Sequence, residues 1–326
     1  MLEDAATSRD TAFPSPASDP VSDARYALRV GNGFLVLVSL TFGLIVLGAL
    51  VRANEAGLAC PDWPLCFGEV IPQIDVRVGF EWTHRAVAGS ISLIFGALAW
   101  LALRRPHTRR ASARLVGIGA LLLVVQIGLG ALTVWQLLAS WTVTSHLVIG
   151  NTYALVLLWT ACALREAGGP PIDRAPAPAR VRVWVTVAAL LLFAQLLLGG
   201  LVSSRYAGMV CPEWPTCNGG YWFPSFEGNV GLHLLHRLNG YALLAVLLVS
   251  AGVGWRVAGM RAVTLLTFVL GSAQLLVGIA NVLLAIPVEV TALHSALAVA
   301  LVLTVSLTVR SVWRSATVPG NPVGAT

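Results

Sequence analysis

The sequence contains no lysine, and only 11% of its residues are charged. A soluble domain carries about 25%, so there is too little polar surface here to coat a globule in water. Acidic residues are also scarce, 15 against 21 basic residues, all of them arginine, giving a net charge of +6. A basic balance can signal nucleic acid, but these arginines fall in short stretches between apolar blocks. That pattern reads as membrane topology, and it speaks against nucleic-acid binding. The amino-terminal stretch lacks an apolar core, so it does not read as a cleaved signal peptide. Residues 1–32, with Asp, Ser, Pro and Ala, read as a disordered cytoplasmic tail.

Apolar residues make up 57% of the chain. They come in blocks of about 20, the length a helix needs to cross about 30 Å of hydrocarbon. Helices satisfy their own backbone groups, which lipid cannot do for them. The expected fold is an all-α integral membrane protein with spans near 33–52, 82–103, 115–135, 142–164, 183–203, 235–255, 262–284 and 290–309. Arginines follow the even-numbered spans: Arg104, Arg105, Arg109 and Arg110, then Arg165, Arg174, Arg180 and Arg182, then Arg256 and Arg261, then Arg310 and Arg314. The positive-inside rule makes those connections cytoplasmic, with both termini inside. The opposite loops hold Asp62, Glu69, Asp75, Glu213 and Glu227.

The chain repeats itself. Cys60-Pro61-Asp62-Trp63-Pro64-Leu65-Cys66 is echoed by Cys211-Pro212-Glu213-Trp214-Pro215-Thr216-Cys217, and His84-Arg85 by His236-Arg237. Gln126 pairs with Gln274, and His146 with His294; the four offsets are 151, 152, 148 and 148 residues. Each unit has four spans, so both enter the membrane in the same orientation. The expected organisation is two parallel-repeat four-helix bundles, 33–166 and 183–310, joined by a Pro-rich linker at 167–182 and followed by a cytoplasmic tail at 311–326.

Ligating groups in apolar helices are costly and usually functional. His84, His146, His236 and His294 fall one per helix in the second, fourth, sixth and eighth spans, at similar depth toward the outer ends. Two per half, facing across a bundle, is a geometry for axial ligation of haem iron. A zinc site would want a cysteine or a third protein ligand nearby. His107, in an Arg-rich connection, reads as a solvated loop residue. Cys60 with Cys66, and Cys211 with Cys217, can each close a small loop on the oxidising side as a disulfide; a redox-active thiol pair is the alternative. Cys162 reads as apolar packing, and Gln126 and Gln274 as hydrogen-bonding links between helices.

Glu81 lies three positions before His84 and so shares its helix face; the matching position in the second half is His233. That difference implies different jobs for the halves. Arg85 and Arg237 are placed to pair with haem propionates, or else to snorkel to water.

Taken together, the two Cys-Pro-x-Trp-Pro-x-Cys loops, the His-Arg openings, the later histidines and the stretch Glu81-Trp82-Thr83-His84-Arg85 resemble the haem A synthase family over about residues 33–310. The resemblance implies a bacterial plasma-membrane enzyme that oxidises the C8 methyl of haem O to a formyl group, through successive hydroxylations and loss of water. It implies that His84 and His146 flank substrate haem O, with Glu81 as the acid-base or charge-stabilising group. It also implies that His236 and His294 hold a permanent haem b. The implied partners are a haem O synthase and an electron donor. Two other readings compete: a bis-histidine cytochrome passing electrons between quinol and an acceptor, and a haem transporter or chaperone. Neither explains the asymmetric Glu81.

Overall fold

The computed structural model describes residues 19–170 and 177–313. The described residues form eight long helices: α1 Pro20–Ala53, α2 Val76–Arg104, α3 Pro106–Trp135, α4 Ser140–Ala167, α5 Ala179–Ser204, α6 Gly228–Gly254, α7 Arg261–Leu283 and α8 Val288–Trp313. A short 3-10 turn at Ala207–Met209 follows α5. All eight helices are long and apolar enough to cross a membrane, as their composition requires.

Several helix ends lie outside the expected spans. α1 begins at Pro20, so residues 20–32 are helical where a disordered tail was expected. Its start is encoded locally: Asp19 caps the backbone N–H of Val21, and Pro20 takes the first helical position. Tertiary contacts then hold this polar turn. Tyr26 donates its hydroxyl to the Leu101 carbonyl at 2.8 Å, Asp23 pairs with Arg105, and the Arg105 guanidinium sits 4.0 Å over the Tyr26 ring. The Arg-rich connection after α2 is also helical. Only Arg105 separates α2 from α3, and His107 lies in the first turn of α3, with Nε2 3.0 Å from the Ala167 carbonyl. The calls on residues 1–18, the middle of the linker (171–176) and 314–326 lie outside the described residues.

The α3–α4 and α7–α8 turns are built alike. Leu137 and Leu138, and again Ala285 and Ile286, take left-handed backbone conformations with φ between 50° and 60°. The second residue of each pair donates back into the preceding helix, Leu138 to the Thr133 carbonyl at 2.8 Å and Ile286 to the Asn281 carbonyl at 2.7 Å. These bonds satisfy carbonyls that the helix end would otherwise leave orphaned.

Helices α1 to α4 pack in a ring, each against the next and α4 back on α1; α5 to α8 do the same. The rings join where α4 meets α5 and α8, and where α1 meets α8. Polar contacts stitch this seam. Arg52 donates to the Ser203 hydroxyl at 2.6 Å, Trp159 to the Ser306 hydroxyl at 2.7 Å, and Arg310 pairs with Glu166 at 2.7 Å. One apolar core holds Phe34, Ile91, Phe95, Tyr153 and Leu157, with edge-on ring contacts Phe34–Phe95 and Phe95–Tyr153. Cys162 packs against it. The second core is aliphatic, with Leu192, Leu243, Leu247, Leu301 and Val305.

Candidate functional site

Each of the four helix histidines stands seven positions before a buried core residue: His84 before Ile91, His146 before Tyr153, His236 before Leu243 and His294 before Leu301. Seven residues are two helical turns, so each ring shares its face with the core side chain below it. The histidines therefore point into the interiors of the two rings, above the packed cores and toward the cysteine-loop end.

α2 and α4 are diagonal in the first ring, as α6 and α8 are in the second, and neither pair packs along its length. His84 and His146 stand on the diagonal helices of the first ring, and His236 and His294 on those of the second. Among the described residues no group of three or more His, Cys, Asp and Glu side chains gathers as a metal cluster. The ligating groups come as pairs.

Every ring leans on a glycine of the neighbouring helix. A Cβ added at Gly48 would lie 3.0 Å from His84 Cε1, and one at Gly130 would lie 3.4 Å from His146 Cε1. The same holds at Gly199 for His236, at 3.1 Å, and at Gly278 for His294, at 3.0 Å. A side chain at Gly48, Gly199 or Gly278 would press on its ring, while one at Gly130 would just touch it. The glycines follow the repeat: Gly48 and Gly199 are 151 residues apart, as Cys60 and Cys211 are, and Gly130 and Gly278 are 148 apart, as His146 and His294 are, a signal the sequence offered.

The ring nitrogens are treated unequally. Gln126 lies 3.2 Å from His146 Nε2, and Gln274 3.1 Å from His294 Nε2. These are the helix-to-helix links expected of the two glutamines. Gln195 was not singled out from sequence, yet its amide lies 3.2 Å from His236 Nδ1 and 3.4 Å from Nε2. It is held there by Asn239, which donates to its Oε1 at 2.7 Å. The repeat could not find it, because the position 151 residues earlier is Leu44. His84 has no glutamine. Its Nδ1 is buried without a partner, as are those of His146 and His294. A buried ring nitrogen without a partner costs free energy unless something else engages the ring. Paired imidazoles seated on glycine, three of them with an unpartnered ring nitrogen whose lone pair could ligate, fit the binding of an iron between them.

Glu81 is buried, 5% exposed, and not an interfacial carboxylate with its head in water. Its Oε1 meets Arg85 at 2.5 Å, and its Oε2 accepts the backbone N–H of Cys60 at 2.9 Å. In the second ring His233 is equally buried, with Nδ1 2.8 Å from the Ala207 carbonyl. Both residues thus tie the first turns of their helix to the loop outside it.

Arg85 and Arg237 do the same. Arg85 donates to the carbonyls of Asp62 and Leu65, both at 2.6 Å, and of Cys60 at 3.2 Å. Arg237 donates to Thr216 at 2.9 Å and Cys211 at 2.7 Å. Tight turns leave backbone carbonyls without helix or sheet partners, and a guanidinium with five donors can satisfy several at once. Cys60–Cys66 and Cys211–Cys217 are both disulfides. Inside each loop an acidic side chain gathers amide donors. Asp62 accepts from Phe67 at 2.7 Å and Gly68 at 2.8 Å; Glu213 accepts from Gly219 at 2.9 Å, Gly220 at 3.0 Å and the Thr216 hydroxyl at 2.7 Å. The Gly68 bond leads in holding Asp62 below its ordinary carboxylate range, and the Thr216 bond does so for Glu213.

A family model described as Cytochrome oxidase assembly protein (COX15-CtaA) matches residues 33–306. A protein named heme A synthase from Shewanella oneidensis is 28% identical over 313 residues, covering 83% of this chain and 93% of its own. Proteins of the same name from Halalkalibacterium halodurans and Alkalihalophilus pseudofirmus are 30% and 32% identical. They cover 67% and 66% of this chain, and 74% and 73% of their own.

Proposed function

This chain belongs to the cytochrome oxidase assembly protein family, and from that premise we propose that it acts as a haem A synthase. In this reading it is a membrane oxidoreductase that converts the C8 methyl of haem O to a formyl group. The observation that carries the reading is the duplicated histidine pair with unlike neighbours: Glu81 one turn from His84, His233 one turn from His236. A protein that only passed electrons would need both pairs and no difference between them.

His84 and His146 are assigned to substrate haem O. His236 and His294 are assigned to a resident haem b, which when bound supplies a reversible one-electron couple. The unequal hydrogen bonding of the rings supports the division. His236 is met by the Gln195–Asn239 chain, which suits a ring that must stay put. His84 lacks such a neighbour, which suits a site that exchanges its tetrapyrrole.

The first ring's own residues then do three things. The glycine-seated imidazoles fix the plane of the substrate. Ile91, Phe95 and Tyr153 close the pocket from below and keep water out on that side. Glu81, fixed by Arg85 and the Cys60 amide, holds a carboxylate at the loop end of the same helix face, where it can accept a proton from the reacting group. Each hydroxylation of the methyl uses dioxygen as the oxidant and two electrons and two protons from the electron donor, placing one oxygen on the carbon and releasing one water; after the second, the geminal diol loses a further water to leave the formyl. A haem O synthase as supplier and an electron donor complete the scheme.

The arginine-rich helix ends support a placement of both termini in the cytoplasm, with the disulfide loops outside a bacterial plasma membrane. The matched offsets and the two helix rings support two repeated four-helix halves. The test is to extract the haems from cells that express this chain with a haem O synthase. Haem A or its alcohol intermediate is expected. Haem O alone would favour electron transfer without methyl oxidation.

A further inference from the structure

At the end of the bundle away from the cysteine loops, a cavity of about 600 Å³ opens between α5, α6 and α7. Its walls are apolar, with Leu248, Leu265 and Phe268, and its mouth carries Arg180 and Arg256. No acidic residue lines it. Neither arginine has a hydrogen bond, ion pair or ring contact among the described residues.

Gly252 lines the cavity. A Cβ there would meet nothing within 4 Å. The position 152 residues earlier, the offset that relates His84 to His236, is Trp100. In the first ring Trp100 lies under the guanidinium of Arg104 at 5.0 Å, and Arg104 is the counterpart of Arg256 by the same offset. So where α2 supplies a large ring to its arginine, α6 supplies no side chain and leaves its arginine over an open space.

We propose that this cavity binds an anionic phospholipid, with the phosphate between Arg180 and Arg256 and one acyl chain along Leu248, Leu265 and Phe268. Guanidinium groups engage phosphate oxygens in a fork that a neutral headgroup cannot offer them. Basic pockets between membrane helices select anionic headgroups for this reason. Trp255 marks the headgroup level, as indole rings do at membrane interfaces, and Arg261 sits 3.9 Å over its ring. A neutral isoprenoid quinol could fill the apolar walls but would leave both guanidiniums without an anion. A cavity of this volume is in the range that holds one amphiphile.

The test is native mass spectrometry of the full-length protein, titrated with phosphatidylglycerol or phosphatidylcholine of the same acyl chains. One phosphatidylglycerol is expected to be retained in preference to phosphatidylcholine. Arg180→Gln and Arg256→Gln should each weaken that retention about fivefold. Gly252→Trp, which restores the first ring's side chain, should abolish it with helix content and haem content unchanged. Equal retention of the two lipids would overturn the proposal. So would unchanged retention in the double Gln variant, which leaves the apolar walls intact, or displacement of phosphatidylglycerol by a neutral quinol. These readouts do not depend on haem chemistry, so this site and the proposed enzyme activity stand or fall separately.

Discussion

The carboxylate of Glu81 accepts the backbone N–H of Cys60 at 2.9 Å, which joins the helix face of His84 directly to the disulfide-closed loop. Glu81→Gln keeps the size of the side chain but removes its charge and its ability to accept a proton. Haem A formation should fall at least about tenfold, the low end for loss of an acid-base group. Membrane insertion and the haem b spectrum should be unchanged. His233→Ala should be much milder. Wild-type haem A output from Glu81→Gln would contradict a chemical role.

The four loop cysteines should resist alkylation until the protein is reduced. Mass spectrometry under non-reducing conditions should find Cys60 joined to Cys66 and Cys211 to Cys217. Free thiols at all four positions would contradict both pairings and weaken the placement of these loops on the oxidising side.

The sequence made the helices and the histidines legible because both rest on periodic signals: apolar blocks of spanning length, and one ligating residue per alternate helix. It was less informative wherever a polar group is held by tertiary structure. Residues 20–32 look like tail because Asp23 and Arg29 interrupt the apolar run, yet Asp23 and Tyr26 find partners on α2 and its end. Arg85 and Arg237 stand out because they adjoin histidines, but the loop carbonyls that they bind are invisible until the loops are folded. Gln195 has no counterpart across the repeat, so only the fold brings it to His236.

Gly48→Ala should disturb His84, because the new Cβ would lie 3.0 Å from the ring. Overpacking of this kind costs about 1–3 kcal/mol where neighbours cannot give way. Haem A formation should fall while the resident haem b spectrum stays normal. Gly199→Ala should instead alter that spectrum through His236. A variant pair with the opposite phenotypes would reverse the assignment of the two sites.

The loops should be more ordered above the ordinary carboxylate range than below it. Asp62 and Glu213 both titrate below their usual values because amide and hydroxyl donors favour the charged form. A depressed folded-state value contributes stability that is fully present above the unfolded-state value and is lost as pH falls through the folded one. Amide protection at Phe67, Gly68, Gly219 and Gly220, corrected for intrinsic exchange, should therefore persist to about pH 4, near the unfolded-state value, and drop below it. Asp62→Asn should remove the pH dependence at Phe67 and Gly68 only.

The division of labour between the histidine pairs is tested most directly by the haem content of purified variants. Proteins carrying His84→Ala or His146→Ala should keep stoichiometric haem b with a bis-imidazole spectrum and yield no haem A. Proteins carrying His236→Ala or His294→Ala should lose that spectrum. Retention of a normal haem b spectrum by the His236 and His294 variants, with its loss in the His84 and His146 variants, would contradict the assignment.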